Sequence, residues 1–303
     1  MTRVSRFTFT KRLLVEEFTT MACVNCPRAA QLLHDALKKK EEYNDRVFGV
    51  CHHAGFYTDI LTQPCDEEML VLYGDPSKSY APAMCFDRLE LEQGAVAISV
   101  PVDVYDLTDM FDRLLSQTAD VDLNVTAWWN TEINRLEIEV EGGSATGTVP
   151  QNAERITVYV LENDINTPQQ AGGGANYMQQ HVIRAYNATW GEEIDWKSDG
   201  RFNYVTSFEL PSDIVPEHIV VIGLISHYNP DNQLDCAVGN SARAPYIDWN
   251  GWADVDGISA ATYATEICYD LFGRRVSPNT KGVVIKVRTR SDGSRTVIKT
   301  LNR

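Results

Sequence analysis

One stretch constrains this chain more than any other: the apolar run Leu13-Leu14-Val15, then Glu16-Glu17-Phe18, then Cys23-Val-Asn-Cys26-Pro27. Residues 3–20 alternate and then turn continuously apolar, which reads as one or two strands, the second buried. Pro27 suits the first turn of a helix. Ala29, Ala30, Leu32, Leu33, Ala36 and Leu37 follow at helical spacing, and Lys38-Lys39-Lys40 fall where a helix C-terminus favours cations. Val47–Cys51 reads as the next buried strand, completing a βαβ unit with a right-handed crossover and parallel pairing.

A Cys-x-x-Cys pair at a helix N-terminus carries chemistry, because the unpaired N–H groups and the helix dipole stabilise a thiolate there. Cys23 is expected to be the more exposed thiol and the attacking one, with Cys26 resolving the mixed disulfide from the same face. A purely structural disulfide is the alternative. A structural zinc would need a second Cys pair or a Cys/His pair at ligand spacing, and neither follows, so no metal and no cofactor is expected. Cys51, His52 and His53, with Cys65 and Cys85, could supply soft-metal ligands, or Cys51 and Cys65 a disulfide; small core residues are the leading reading.

At 303 residues the chain exceeds the usual single domain. A net charge of -15 argues against a polyanion-binding surface and hence against nucleic acid as a partner. The charge is uneven: from Arg274 to Arg303 there are nine Lys/Arg and one Asp, which marks the C-terminal tail as a separate unit. No apolar run reaches the length of a membrane span, and residues 1–12 lack the apolar core of a secretory signal.

Residues 54–80 read as an irregular insertion with one short helix near 66–73, and residues 81–91 return to strand-like composition. Leu107, Met110, Phe111, Leu114 and Leu115 share a helical face, with Thr108 as a candidate cap. From Asp120 the pattern changes to alternating strands at 121–129, 136–140, 156–161, 202–210 and 218–227, the spacing of a β-sandwich. An excursion with Gly172-Gly173-Gly174 and residues 177–190 carries no clear period. His181, Arg184 and Trp190 within it read as a buried polar anchor, and Trp128-Trp129 as one surface and one core aromatic. Beyond a linker at 248–257, strands at 265–270, 283–288 and 295–299 form a small antiparallel unit.

The segment Leu14-Val15-Glu16-Glu17-Phe18 followed by Cys23-Val-Asn-Cys26 resembles the first core strand and redox turn of a thioredoxin-like domain. The resemblance implies that Glu17 is a buried acid that helps move protons from Cys26, and that Ala81-Pro82-Ala83 holds a cis-proline whose neighbour pairs with a substrate strand. Ala22 and the placement of Pro27 after the motif depart from that pattern. Over most of its length the chain is also similar to the Omp28-related outer-membrane proteins of Bacteroidetes. The matching residues are Glu-Glu-Phe-Thr-Thr-x-x-Cys-Val-Asn-Cys-Pro, Asp87-Arg88, Tyr177-x-x-x-His181-Val-Ile-Arg184-Ala and Trp190-Gly191-Glu192. That resemblance implies a cell-envelope protein, membrane-associated only through a lipid anchor removed with the export signal.

The expected architecture is α/β plus all-β: a thioredoxin-like domain over 1–119 with an insertion at about 54–80, a β-sandwich over 120–257, and a basic β module over 258–303. The expected function is thiol–disulfide exchange with protein thiols or disulfides through Cys23, Cys26, Glu17 and Pro82. The alternative is a non-catalytic surface adhesin or scaffold with a surface protein as its partner.

Overall fold

Leu13–Phe18 forms strand β1, buried along its whole length, in the computed structural model, which describes residues 8–250, 252, 265–269, 274–277, 280–289 and 295–302. Helix α1 (Cys26–Leu37) buries Cys26, Ala29, Leu33 and Ala36, the face its spacing predicts. Strand β2 (Val47–His52) returns parallel to β1, from Leu13 against Val47 to Phe18 against His52. The insertion holds a short helix, Pro64–Glu68, entered through a Gln63/Asp66 capping box, and a 3-10 turn, Met69–Tyr73. Strand β3 (Ala83–Phe86) runs antiparallel to β1, and β4 (Ile98–Ser99) pairs with β3.

Helix α2 (Val104–Leu115) begins one residue after Asp103, whose carboxylate accepts the Tyr105 N–H at 2.7 Å. Asp103, not Thr108, is therefore its cap. The Thr108 hydroxyl lies inside the helix and donates to the Tyr105 carbonyl. Both helices cover one face of the sheet, where Leu33, Ala36, Leu107 and Phe111 meet Leu13 and Val15. The opposite face is closed from the insertion side by Met69 and Leu72 against Phe18.

The remaining strands do not form a separate sandwich. In chain order they are β5 (Val121–Asn130), β6 (Arg135–Ser144), β7 (Arg155–Glu162), β8 (Val182–Tyr186), β9 (Arg201–Phe208), β10 (Ile219–Ser226), β11 (Val238–Arg243) and β12 (Ile247–Asp248). One nine-stranded sheet runs β11-β10-β7-β8-β2-β1-β3-β4, with Glu192–Glu193 pairing onto β7. A second sheet, β9-β6-β5-β12, packs on the β10/β11 side, where a Cβ built at Gly223 would stand 3.0 Å from Val125 Cγ2. The expected boundary at 119/120 thus falls inside a compact unit that extends to Trp249. The joint is β8, which pairs antiparallel with β7 on one side and parallel with β2, through Val182 and Cys51, on the other.

A buried ion-pair system ties the two ends of this sheet. Lys11 Nζ lies 2.8 Å from Asp87 and donates to the carbonyls of Val238 and Gly239, while Asp87 Oδ1 accepts the Leu14 N–H at 2.9 Å. Trp129 is the expected core aromatic and stacks on Trp249, whereas Trp128, expected at the surface, is half-buried.

Residues 250–303 form a second unit. Its strands are β13 (Thr265–Tyr269), β14 (Arg275–Val276), β15 (Gly282–Thr289) and β16 (Arg295–Asn302), in the antiparallel order β14-β13-β15-β16. Residues 251 and 253–257 of the expected linker lie outside the described residues. Among the described residues no helix is long and apolar enough to cross a membrane.

Candidate functional site

The Thr20 carbonyl accepts the Cys23 N–H at 2.9 Å, and this tight turn carries the chain from β1 into α1. Asn25 sits at the helix N-cap and Cys26 is the first helical residue. Cys23 and Cys26 are joined in a disulfide with their Cα atoms 5.5 Å apart. The expected asymmetry of exposure is absent: Cys23 is 3% and Cys26 1% accessible.

Two segments are bonded to the backbone of the Cys23 turn. The insertion reaches the turn through Asp59, whose carboxylate accepts the Met21 N–H at 2.8 Å and pairs with His53 Nδ1 at 3.0 Å. The excursion does more. The Gln170 amide donates to the carbonyls of Cys23 at 3.0 Å and Thr20 at 3.3 Å, and Ala171 N–H donates to Met21 O at 2.8 Å. Neither periodicity nor charge marks Gln170; the only signal in its neighbourhood is the glycine run that begins at Gly172.

Glu17 faces the α1 side of β1, between Cys51 of β2 and Met84 of β3 in register. It is 6% accessible, its Oε1 has no hydrogen-bond partner among the described residues, and burial raises its carboxyl to about 8. A cavity of about 90 Å³ opens beside it, lined also by Cys51, His34, Tyr177 and His181. Burial, with the carboxylates of Glu17, Asp66 and Asp59, holds the Cys51 thiol well above its ordinary value. Cys51 is therefore a protonated, unreactive thiol.

The Ala81–Pro82 peptide bond is cis. It immediately precedes β3, whose Ala83 pairs with Phe18 at the end of β1 from which the Cys23 turn departs. Tyr73 OH donates to the Tyr80 carbonyl, and Ser79 Oγ donates to Gly55 O, so the insertion fixes the approach to Pro82. Glu17, Cys23, Cys26 and Pro82 thus gather at one end of β1: Glu17 on the strand, the Cys pair in the turn that leaves it, and Pro82 at the start of the neighbouring strand β3.

The other face of β1 holds a denser polar cluster. Glu16 receives Arg88 Nη2 at 2.7 Å and Arg88 Nε at 2.9 Å, and Arg88 also donates to Tyr159 OH at 3.0 Å. His52 stands between Asp66 at 2.9 Å and Glu16 at 3.3 Å. Burial works against the Glu16 charge, but Arg88 and His52 pull its carboxyl down to about 2. Burial likewise opposes the His52 charge, and Asp66, Cys65 and Glu16 override it, so its pKa is raised well above the ordinary value.

The metal alternative took Cys51, His52 and His53 to act together, but successive strand residues diverge. Cys51 faces Glu17, His52 faces Glu16 and Asp66, and His53 faces Asp59. Donor atoms of His52, Cys65 and Asp66 do lie within 4.8 Å of one another. Both His52 nitrogens are already held by carboxylates, and with Arg88 the cluster balances two anions with two cations. The Cys51–Cys65 disulfide is also absent: both thiols are free, and Cys65 packs with Phe48 and Val50 on the face opposite Cys51.

His181, Arg184 and Trp190, expected as a buried polar anchor, are all three only half-buried, and His181 lines the cavity beside Glu17. Arg184 pairs with Glu162 and Asp213, and Trp190 stacks on Tyr228 with ring centres 5.2 Å apart.

These features can be set beside known proteins. Residues 95–233 match the family model of outer membrane protein Omp28. The expected resemblance to that family holds over those residues. The Omp28 match includes Gln170, Arg184 and Trp190 and begins downstream of Glu17, Cys23, Cys26 and Pro82. HBP35 of Porphyromonas gingivalis is similar in fold, with 19% identity and a TM-score of 0.66 over 97% of this chain and 98% of that one. A domain of the outer membrane lipoprotein Omp28 from the same organism aligns at 19% identity over 43% of this chain and 91% of that one, with a TM-score of 0.28. A comparison with curated proteins found no match.

Proposed function

We propose that this chain is a cell-envelope protein whose Cys23–Cys26 pair, carried on a thioredoxin-like N-terminal domain, exchanges thiols and disulfides with protein partners. The observation that carries the reading is the disulfide at the N-terminus of α1, at the end of β1 where buried Glu17 and cis Pro82 also stand. The strand order β2-β1-β3-β4 with α1 and α2 on one face supports the domain assignment. The match to an outer-membrane family supports the envelope assignment.

Written for reduction of the disulfide form, a partner thiolate attacks Cys23 Sγ. The Cys23–Cys26 bond breaks, its electron pair goes to Cys26 Sγ, and the protonated Glu17 carboxyl supplies the proton. A second partner thiolate then attacks the partner sulfur of the mixed disulfide and releases Cys23 as a thiolate, protonated from solvent. The partner dithiol becomes a disulfide and the Cys pair a dithiol; the reverse runs through the same intermediate. Pro82 orients the partner backbone.

A second reading, the surface adhesin or scaffold, is favoured by one observation: both sulfurs are buried. Insulin reduction by wild type and Cys23→Ser separates the two. Activity in wild type alone supports exchange, and wild-type activity no higher than that of the mutant removes it.

A further inference from the structure

The excursion between β7 and β8 does not simply pass near the motif. Its backbone and one buried side chain are built onto the carbonyls of the Cys23 turn. Gln170 is 3% accessible, donates to Cys23 O and Thr20 O, and has its own Oε1 held by the Gln179 amide at 2.8 Å. Ala171 N–H caps Met21 O at 2.8 Å. Gly172 then passes so close to Val24 that a Cβ there would stand 2.4 Å from the Val24 carbonyl oxygen, and its φ is +74°. A stem closes the segment, with the Tyr177 carbonyl accepting the Thr167 N–H at 2.8 Å. Residues 20, 21, 23 and 24 are thus each held or overlaid by residues 170–172.

We infer that residues 167–174 form a strap that gates the Cys23–Cys26 disulfide, with Gln170 as the positioning residue that holds it closed. An attacking sulfur must reach Cys23 Sγ along the line of the Cys23–Cys26 bond, and both sulfurs are buried while the strap is in place. Exchange therefore proceeds from a minor, strap-open population, and its rate scales with that population. A partner that carries its own donor to the Thr20 and Cys23 carbonyls replaces Gln170 on opening, so the strap selects protein partners able to pair with the turn backbone. A thiol without such a donor must wait for spontaneous opening. This selection rests on the exchange function proposed above, whereas the gate itself can be measured without any protein substrate.

The test is the rate at which dithiothreitol reduces Cys23–Cys26, followed by alkylation and mass spectrometry, in wild type and three variants. Gln170→Met keeps the side-chain length and removes the bonds donated to the Thr20 and Cys23 carbonyls, together with those to Ala171 O and from Gln179. Gly172→Ala forces a Cβ into the Val24 carbonyl. Gly174→Ala is the control, because its φ of +82° imposes similar backbone strain while nothing lies within 4 Å of the added Cβ. Gln170→Met and Gly172→Ala are each expected to be reduced about tenfold faster than wild type, the effect of losing one or two buried hydrogen bonds on an opening equilibrium. Gly174→Ala is expected to match wild type.

Equal rates in wild type, Gln170→Met and Gly172→Ala would overturn the gate, as would an equal acceleration in Gly174→Ala. Hydrogen exchange on the wild type is independent of any folding defect in the variants. Faster deuterium uptake over 167–174 after reduction supports a strap coupled to the pair, and unchanged uptake opposes it. If the gate holds but insulin reduction fails, the exchange function is lost and the strap remains.

Discussion

Glu16 and Glu17 are neighbours on one buried strand, yet the two faces of β1 treat the same carboxylate in opposite ways. Glu16 is ionised, bound in a fork by Arg88 and backed by His52 and Asp66, so its charge is paired, with Arg88 Nη1 left without a hydrogen bond among the described residues. Glu17 looks onto a cavity with an unpartnered oxygen and keeps its proton up to about pH 8. A satisfied buried network fixes a core, whereas an unsatisfied acid costs stability and persists where proton transfer uses it. The Glu16 face joins the first strands to Tyr159 of β7, farther along the same sheet. The Glu17 face is the one that bears the Cys pair.

Breaking the satisfied side has the largest expected effect. Arg88→Ala strands Glu16 with one cation and leaves Tyr159 without its donor. It should lower unfolding free energy in urea by about 3–5 kcal/mol at pH 7. The pH dependence identifies the cause. A carboxyl lowered from 4.5 to about 2 stabilises the fold above pH 4.5 and loses that contribution as pH falls toward 2. Wild type should show this acid limb, and Arg88→Ala should have little of it left. A full acid limb in the variant would show that Arg88 acts by packing and not by charge.

The opposite sign is expected on the other face. Between pH 4.5 and 8 the folded Glu17 holds a proton that the unfolded chain has released, so the fold loses stability as pH rises through that window. Glu17→Gln removes this loss. The variant should be more stable than wild type by up to about 3 kcal/mol at pH 7 and no more stable near pH 4. Its rate of thiol–disulfide exchange should also lose the inflection near pH 8. A variant that is less stable at pH 7 would mean that Glu17 is ionised and paired, and the contrast between the two faces would collapse.

Much of this was readable from sequence, and the failures have physical causes. The β1–α1–β2 unit follows from an apolar run, a proline and a helical stripe, all local signals. Glu17 is reached through the resemblance of its segment to a thioredoxin-like strand and redox turn, but Glu16 is not, because its partners Arg88 and Tyr159 lie far along the chain and 71 residues from each other. The expected boundary at 119/120 falls where alternating strands begin. That alternation belongs to β5 and β6, whereas β7 is buried on both faces, the pattern of a central strand, and it is β7 that receives β8. Strand β8 is hidden by a bulge between Ile183 and Ala185. The carbonyl of Cys23 is held by Gln170, a polar residue in an irregular segment, where no periodicity exists to expose its role.

The comparison of faces attributes the weight of the Glu16–Arg88 pair to burial and not to pairing as such, and a surface pair tests that attribution at the small end. Glu42 and Arg46 stand one helical turn apart with Oε2 and Nη1 at 2.8 Å, and the Glu42 carboxylate is half exposed. Arg46 keeps its bonds to the carbonyls of Lys11 and Leu115 whether or not Glu42 is charged. Glu42→Gln should therefore change unfolding free energy by only about 0.5 kcal/mol or less, and 0.5 M salt should erase most of that. An effect approaching that of Arg88→Ala would mean that ion pairing stabilises this fold at any depth, and the Glu16 cluster would no longer be set apart by its burial.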